Sequence, residues 1–210
     1  EIVCENFNAS SATVDIRGVN VHTGSAKDTM VNAALVAMEF NSLLPAAETP
    51  RHTELREGFY HLTGVEGCCE SACARYILRD HDAAKLAMRG ETLMHAAKCL
   101  NEKYGEGTVT VTLRAGYRNM LDKILPQHAH LIDNAKLAAR RAGVEPFMRI
   151  MRGGTDGAEL SWRGLPCPNL GTGGYAYHGP YEHITVEGMD KCVEILKNLT
   201  EIYSSSLPQS

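Results

Sequence analysis

The sequence predicts two folded units of different class, an α+β unit of ferredoxin-like order followed by part of an α/β unit. Three observations carry this reading. Up to residue 115 the apolar periodicity runs strand, helix, strand, strand, helix, strand. After Pro126 it changes to alternating helices and short strands. Between residues 151 and 179 two glycine-rich stretches flank a short apolar run, a pattern suited to two loops at one edge of a sheet.

The elements follow in order. Residues 11–17 alternate, with Ala12, Val14 and Ile16 against Thr13, Asp15 and Arg17, the pattern of a half-buried strand. A loop containing Val21-His22-Thr23-Gly24-Ser25-Ala26-Lys27 leads to a helix over 29–44, with Val31, Leu35 and Met38 on one face, Ala33, Ala37 and Phe40 beside them, and Pro45 and Pro50 beyond its end. Residues 57–66 and 71–80 alternate about a turn at Gly67 and form a hairpin. Residues 82–104 place Leu86, Leu93, Ala97, Leu100 and Tyr104 on one helical stripe that Gly105 and Gly107 stop. A fourth strand, 108–114, turns Val109, Val111 and Leu113 inward. In the second unit the expected elements are a helix over 128–142, a strand at 147–150, a turn and helix over 155–162, a strand at 166–170 and a closing helix over 185–203. Two strands make no stable sheet, so further strands are expected from sequence outside this chain. The expected division is 1–7, the end of a preceding segment of the α/β domain; 8–115, the ferredoxin-like domain; 116–203, the C-terminal part of that same α/β domain; and 204–210, a disordered tail.

Composition narrows the function classes. With 210 residues and 44% hydrophobic residues the chain can bury a core. No run of 18 or more apolar residues and no signal-peptide succession occurs, so the expectation is a cytoplasmic protein without a membrane partner. A net charge of -4 with both signs interspersed argues against nucleic acid. Seven cysteines, without zinc-finger spacing, read as reduced thiols used mostly as small apolar residues. Glu1, with a strand pattern close behind it, suggests a piece of a longer chain.

Several residues carry possible chemistry. His178 follows a glycine pair in a loop entering the last helix, where an imidazole can serve as a metal ligand; on spacing alone it reads as an ordinary loop histidine, with Glu182 and His183 nearby but no helix beneath them. Arg152-Gly153-Gly154-Thr155-Asp156-Gly157 suits an anion cradle and equally a cap of the following helix through Thr155 or Asp156, two roles that are compatible. It lacks the Walker and Gly-x-Gly-x-x-Gly patterns of nucleotide loops. His22, between strand and helix, either donates to a ligand or is a surface loop histidine. Arg79 ends a partly buried strand row and wants a carboxylate partner. Asp80-His81-Asp82 reads as a strand end and helix N-cap rather than a metal motif.

The chain resembles the peptidase T family, tripeptide aminopeptidases of the zinc metallopeptidase superfamily that includes the aminoacylases and succinyl-diaminopimelate desuccinylase. The stretches that carry the resemblance are Glu5-Asn6-Phe7-Asn8-Ala9, the His22 loop, Glu57-Gly58-Phe59-Tyr60-His61-Leu62, Tyr76-Ile77-Leu78-Arg79-Asp80, the Arg152 loop with Ala158, Gly164-Leu165-Pro166-Cys167-Pro168-Asn169-Leu170 and Gly173-Gly174-Tyr175-Ala176-Tyr177-His178-Gly179, spread over residues 5–199. It implies a zinc-binding α/β catalytic domain with a ferredoxin-like lid that is also the dimer interface, two zinc ions per site, and a short peptide as substrate. His178 then matches a zinc ligand, and His22 the lid histidine that reaches the substrate carbonyl across a homodimer. Arg79 matches the arginine that holds the peptide carboxylate, and Arg152, Gly153, Gly154 and Thr155 the loop that meets the substrate backbone. Asn119 matches a hinge asparagine that touches substrate. Thr23 departs from the family, which typically has proline there. The remaining zinc ligands and the glutamate base are expected before the first residue, so this piece alone is expected to be inactive. Two alternatives stand beside this reading: a non-catalytic dimerisation or peptide-binding module of the same fold, and an anion-binding α/β protein using the Arg152 loop.

Overall fold

The computed structural model describes residues 1–205, which divide into two units: Phe7–Tyr117, and Glu1–Asn6 together with the chain from Arg118 onward. In chain order the elements are β1 (Ile2–Asn6), β2 (Asn8–Arg17), a single 3-10 turn (Thr23–Ser25), α1 (Ala33–Ser42), β3 (Phe59–Gly67), β4 (Ser71–Asp80), α2 (Ala83–Tyr104), β5 (Val109–Ala115), α3 (Leu121–Ile124), α4 (Ala129–Arg141), β6 (Met148–Met151), α5 (Asp156–Trp162), β7 (Asn169–Leu170), β8 (Gly174–Tyr175), β9 (His183–Ile184) and α6 (Val186–Ser205).

Strict alternation builds the first unit. The sheet order is β3-β4-β2-β5 with every pair antiparallel, and β2 and β4 stay in register from Asn8↔Asp80 to Arg17↔Ser71. With its two crossover helices this is the ferredoxin-like arrangement. Both helices share one core with the sheet, in which Val14, Ala74, Tyr76 and Leu78 meet Val36 and Phe40 of α1 and Leu93 and Leu100 of α2. Each large side chain fully buried there contributes about 1.5–3 kcal/mol. The capping is local. Asn32 accepts from the Ala34 and Leu35 amides to start α1, and Asp82 accepts from those of Ala84 and Lys85 to start α2. Asp80 accepts from the Asp82 amide at 3.0 Å, so the acidic run is a strand end and cap, as its sequence suggested.

The structure departs from the sequence reading of this unit at three points. Helix α1 starts at Ala33 rather than residue 29 and buries Ala33, Val36, Ala37 and Phe40, while Leu35 and Met38 are exposed. Small alanines let the helix approach the sheet closely, and the larger pair turns outward. Leu113 is exposed on β5 rather than inward. Of the seven cysteines, all unpaired, only Cys4 is buried, so most do not act as core residues.

In the second unit β1 lies between β6 and β7, parallel to β6 and antiparallel to β7. The sheet therefore has a third strand within this chain, where the sequence reading counted two. The strand expected at 166–170 shrinks to Asn169–Leu170 because Pro166 and Pro168 bring no amide hydrogens. Ile2, Val3, Cys4, Met120, Ile124, Ile132, Ala135 and Ala158 form the core. Ser204 and Ser205, assigned to a tail by sequence, end α6, and residues 206–210 lie outside the described residues.

Candidate functional site

His22 and Arg79 belong to the first unit. His22 is the N-cap of the 3-10 turn, and its Nδ1 accepts from the Gly24 amide at 3.1 Å. That bond places the proton of the neutral ring on Nε2, leaving an outward donor on an exposed loop. The 3-10 turn forms with Thr23 in the position after the histidine.

Arg79 is half-buried near the end of β4, paired with Phe59 on one side and Ala9 on the other. The carboxylate partner expected for it is not found among the described residues. Its Nη1 donates instead to the carbonyls of Leu78 at 2.8 Å and Ser10 at 3.2 Å. Asp80, its neighbour in sequence, is buried and bonded to Arg89 at 3.1 Å. Arg89 also pairs with Glu48 and lies over the Tyr60 ring. Burial opposes the charge of Arg89, and the bonds to Glu48 and Asp80 outweigh it and raise its pKa. Gly58 is required beside this group, because a Cβ there would fall on the Asp80 carboxylate and the Arg79 carbonyl.

Asn119, residues 152–155 and His178 belong to the second unit. Asn119 is buried, and its Oδ1 accepts from the amides of Asn6 at 3.2 Å and Leu121 at 3.0 Å. Asn6 answers with Oδ1 to the Met120 amide and Nδ2 to the Arg118 carbonyl. Trp162 Nε1 donates to the Asn119 carbonyl, and Arg118 stacks on the indole at 3.5 Å. The Asn119 side-chain oxygen thus holds main chain where the chain passes between units, a role its sequence context did not reveal.

In the Arg152 loop the helix cap is formed: Thr155 accepts from the Ala158 amide at 3.1 Å. Gly157 lets α5 approach the Cys167 carbonyl and Asn169, where a Cβ would collide.

His178 is exposed in the loop between β8 and β9, with φ at 63°. Its amide donates to Glu182 at 3.1 Å, and His183 stacks on Tyr175 rather than joining it. Among the described residues no three His, Cys, Asp or Glu side chains gather to hold a metal ion. A zinc ion needs about four ligands with three or more from protein, so the residues present do not make a zinc site by themselves.

With this geometry in place, the first 108 residues decide the family: residues 4–108 match the one described as Peptidase dimerisation domain. The chain belongs to the peptidase dimerisation domain family. The match runs from β1 through α2, and β5 lies just beyond it while completing the same sheet. Over 204 residues, 97% of this chain and 50% of the relative, the sequence is 49% identical to Peptidase T of Clostridium perfringens. It is 45% identical over 199 residues to Peptidase T of Caldanaerobacter subterraneus subsp. tengcongensis, covering 95% of this chain and 48% of that protein. The chain spans about half the length of the curated relatives it matches. Among solved structures, aminopeptidase PepT from Bacillus cereus has a TM-score of 0.81 at 22% identity, over 97% of this chain and 54% of that one. A tripeptidase from Staphylococcus aureus has a TM-score of 0.83 at 16% identity, over 98% of this chain and 54% of that one. These two likenesses show the shared fold. No helix among the described residues is long and apolar enough to cross a membrane.

Proposed function

We propose that this chain is the lid and the closing part of the catalytic domain of a zinc-dependent aminopeptidase that releases the N-terminal residue from tripeptides. The observation that supports it most directly is the alignment with Peptidase T over 97% of the chain at 49% identity. The ferredoxin-like unit would join two copies into a homodimer, in keeping with the family description. Unpaired cysteines suit a reducing compartment such as the cytoplasm.

In this reading His178 is one ligand of a site with two zinc ions, which would supply an activated water. The other ligands are not among the described residues. This chain's own residues bind and orient. Arg79 holds the peptide carboxylate, and the loop of Arg152, Gly153, Gly154 and Thr155 meets the substrate backbone. The Nε2 hydrogen of His22, left free by the Gly24 bond to Nδ1, donates to the scissile carbonyl oxygen of the peptide bound in the second copy as charge builds there. Asn119 is the substrate contact that the resemblance assigns, and its Oδ1 also holds the main chain at Asn6 and Leu121.

The 210-residue chain by itself is expected to hydrolyse no tripeptide, with or without added zinc. Amino-acid release from a tripeptide by the purified chain, supported by zinc and stopped by a chelator, is the result that would refute this.

A further inference from the structure

Arg79 lies on the face of the sheet turned away from the helices, the odd-numbered row of β4 opposite the buried Leu78. Its Nη1 makes two bonds to main-chain carbonyls, Leu78 at 2.8 Å and Ser10 at 3.2 Å, which take both hydrogens of that nitrogen. Nε and Nη2 make no hydrogen bond among the described residues. A carboxylate can therefore be received by two parallel bonds only on the Nε and Nη2 edge.

The plane of that edge is set by a neighbour. The guanidinium carbon sits 5.2 Å from the centroid of the Tyr117 ring, within the range of a cation–π contact. Tyr117 is itself fixed. Its carbonyl accepts from the Ala9 amide at 2.8 Å, and the Gly116 amide donates to the Ala9 carbonyl at 2.9 Å, carrying the β2–β5 ladder past its last strand pair. Ala9 is thus flanked by Arg79 in the strand register on one side and by Tyr117 on the other. Its side chain is a single buried methyl group, which lets ring and guanidinium meet across it.

We infer that Tyr117 is a positioning residue for Arg79: it holds the guanidinium so that its free edge selects peptides with an unblocked C-terminal carboxylate. This rests on the reading of Arg79 as the carboxylate seat. Tyr117 touches no substrate in this account, and removing its ring loosens the seat without changing the chemical step.

The test uses the full-length enzyme with two substrates, a tripeptide and the same tripeptide as its C-terminal amide, and records a urea midpoint for each variant. Arg79→Ala is expected to abolish the preference for the free acid. Tyr117→Leu is expected to raise KM for the free acid by about two- to fivefold, the scale of a partly exposed cation–π contact, with kcat and the KM for the amide held. Tyr117→Phe, which keeps the ring face, is expected to hold the preference. A Tyr117→Leu enzyme with the original KM ratio, or with both substrates or kcat affected alike, overturns the inference while leaving Arg79 in place. An Arg79→Ala enzyme with the original ratio overturns the carboxylate seat and the inference together.

Discussion

His178 occupies left-handed backbone with φ at 63°, a region that costs a non-glycine residue about 1 kcal/mol or more. Strain of this kind at an exposed histidine fits a residue kept for its side chain. His178→Gly is expected to stabilise the folded chain by about 0.5–1 kcal/mol in urea unfolding. A destabilised variant would show that the imidazole supports the fold and weaken its assignment as a ligand. At this scale the sequence was only partly readable. His178 could be singled out by motif, but its glycine-like backbone could not, since φ is set by the loop that β8 and β9 close. Arg79 could be singled out too, yet its partners Ser10 and Tyr117 lie 69 and 38 positions away and leave no local trace. The bracket between Asn6 and Asn119 spans 113 positions and was equally silent.

At the scale of elements, the long strands and α2 were legible because their burial repeats over many residues. The ten residues of β4 bury Ala72, Ala74, Tyr76 and Leu78 in turn, as their alternation required. Helix α1 was expected four residues too early, and of its apolar residues Ala33, Ala37 and Phe40 face inward while Leu35 and Met38 do not, because apolar residues occur on more than one of its sides. The two-residue strands β7, β8 and β9 carry no periodicity to read. What ties the elements of the first unit together beyond its core is the Arg89 group. It joins α2 to Asp80 at the end of β4 and to Glu48 in the segment after α1. Asp80→Ala leaves Arg89 buried with Glu48 as its remaining carboxylate partner, and is expected to lower the unfolding free energy by about 3 kcal/mol, the lower end of the cost of breaking a buried pair from one side. A urea midpoint within error of the parent would show that this group contributes nothing to holding the unit together.

Across the whole molecule, two units with separate cores are built from a chain that passes between them twice, after Asn6 and after Tyr117. The change of periodicity after Pro126 made two units readable, and residues 1–7 were expected to belong to the same domain as residues 116–203, as Glu1–Asn6 do; which strands β1 pairs with was not readable, because five buried residues give no hint of their neighbours. The same scale explains why the candidate site is legible only in part. The chain carries residues suited to binding and orientation, and spans about half the length of its Peptidase T relatives. In the proposed function His178 serves a metal-dependent peptidase centre completed by the rest of a full-length protein. The direct measurement is release of the N-terminal amino acid from a tripeptide by that full-length protein, before and after chelation and with His178→Ala. The expected result is hydrolysis that chelation abolishes and zinc restores, and a His178→Ala enzyme that is folded but slower by several orders of magnitude. Full activity in the His178→Ala enzyme, or hydrolysis indifferent to chelation, would contradict it.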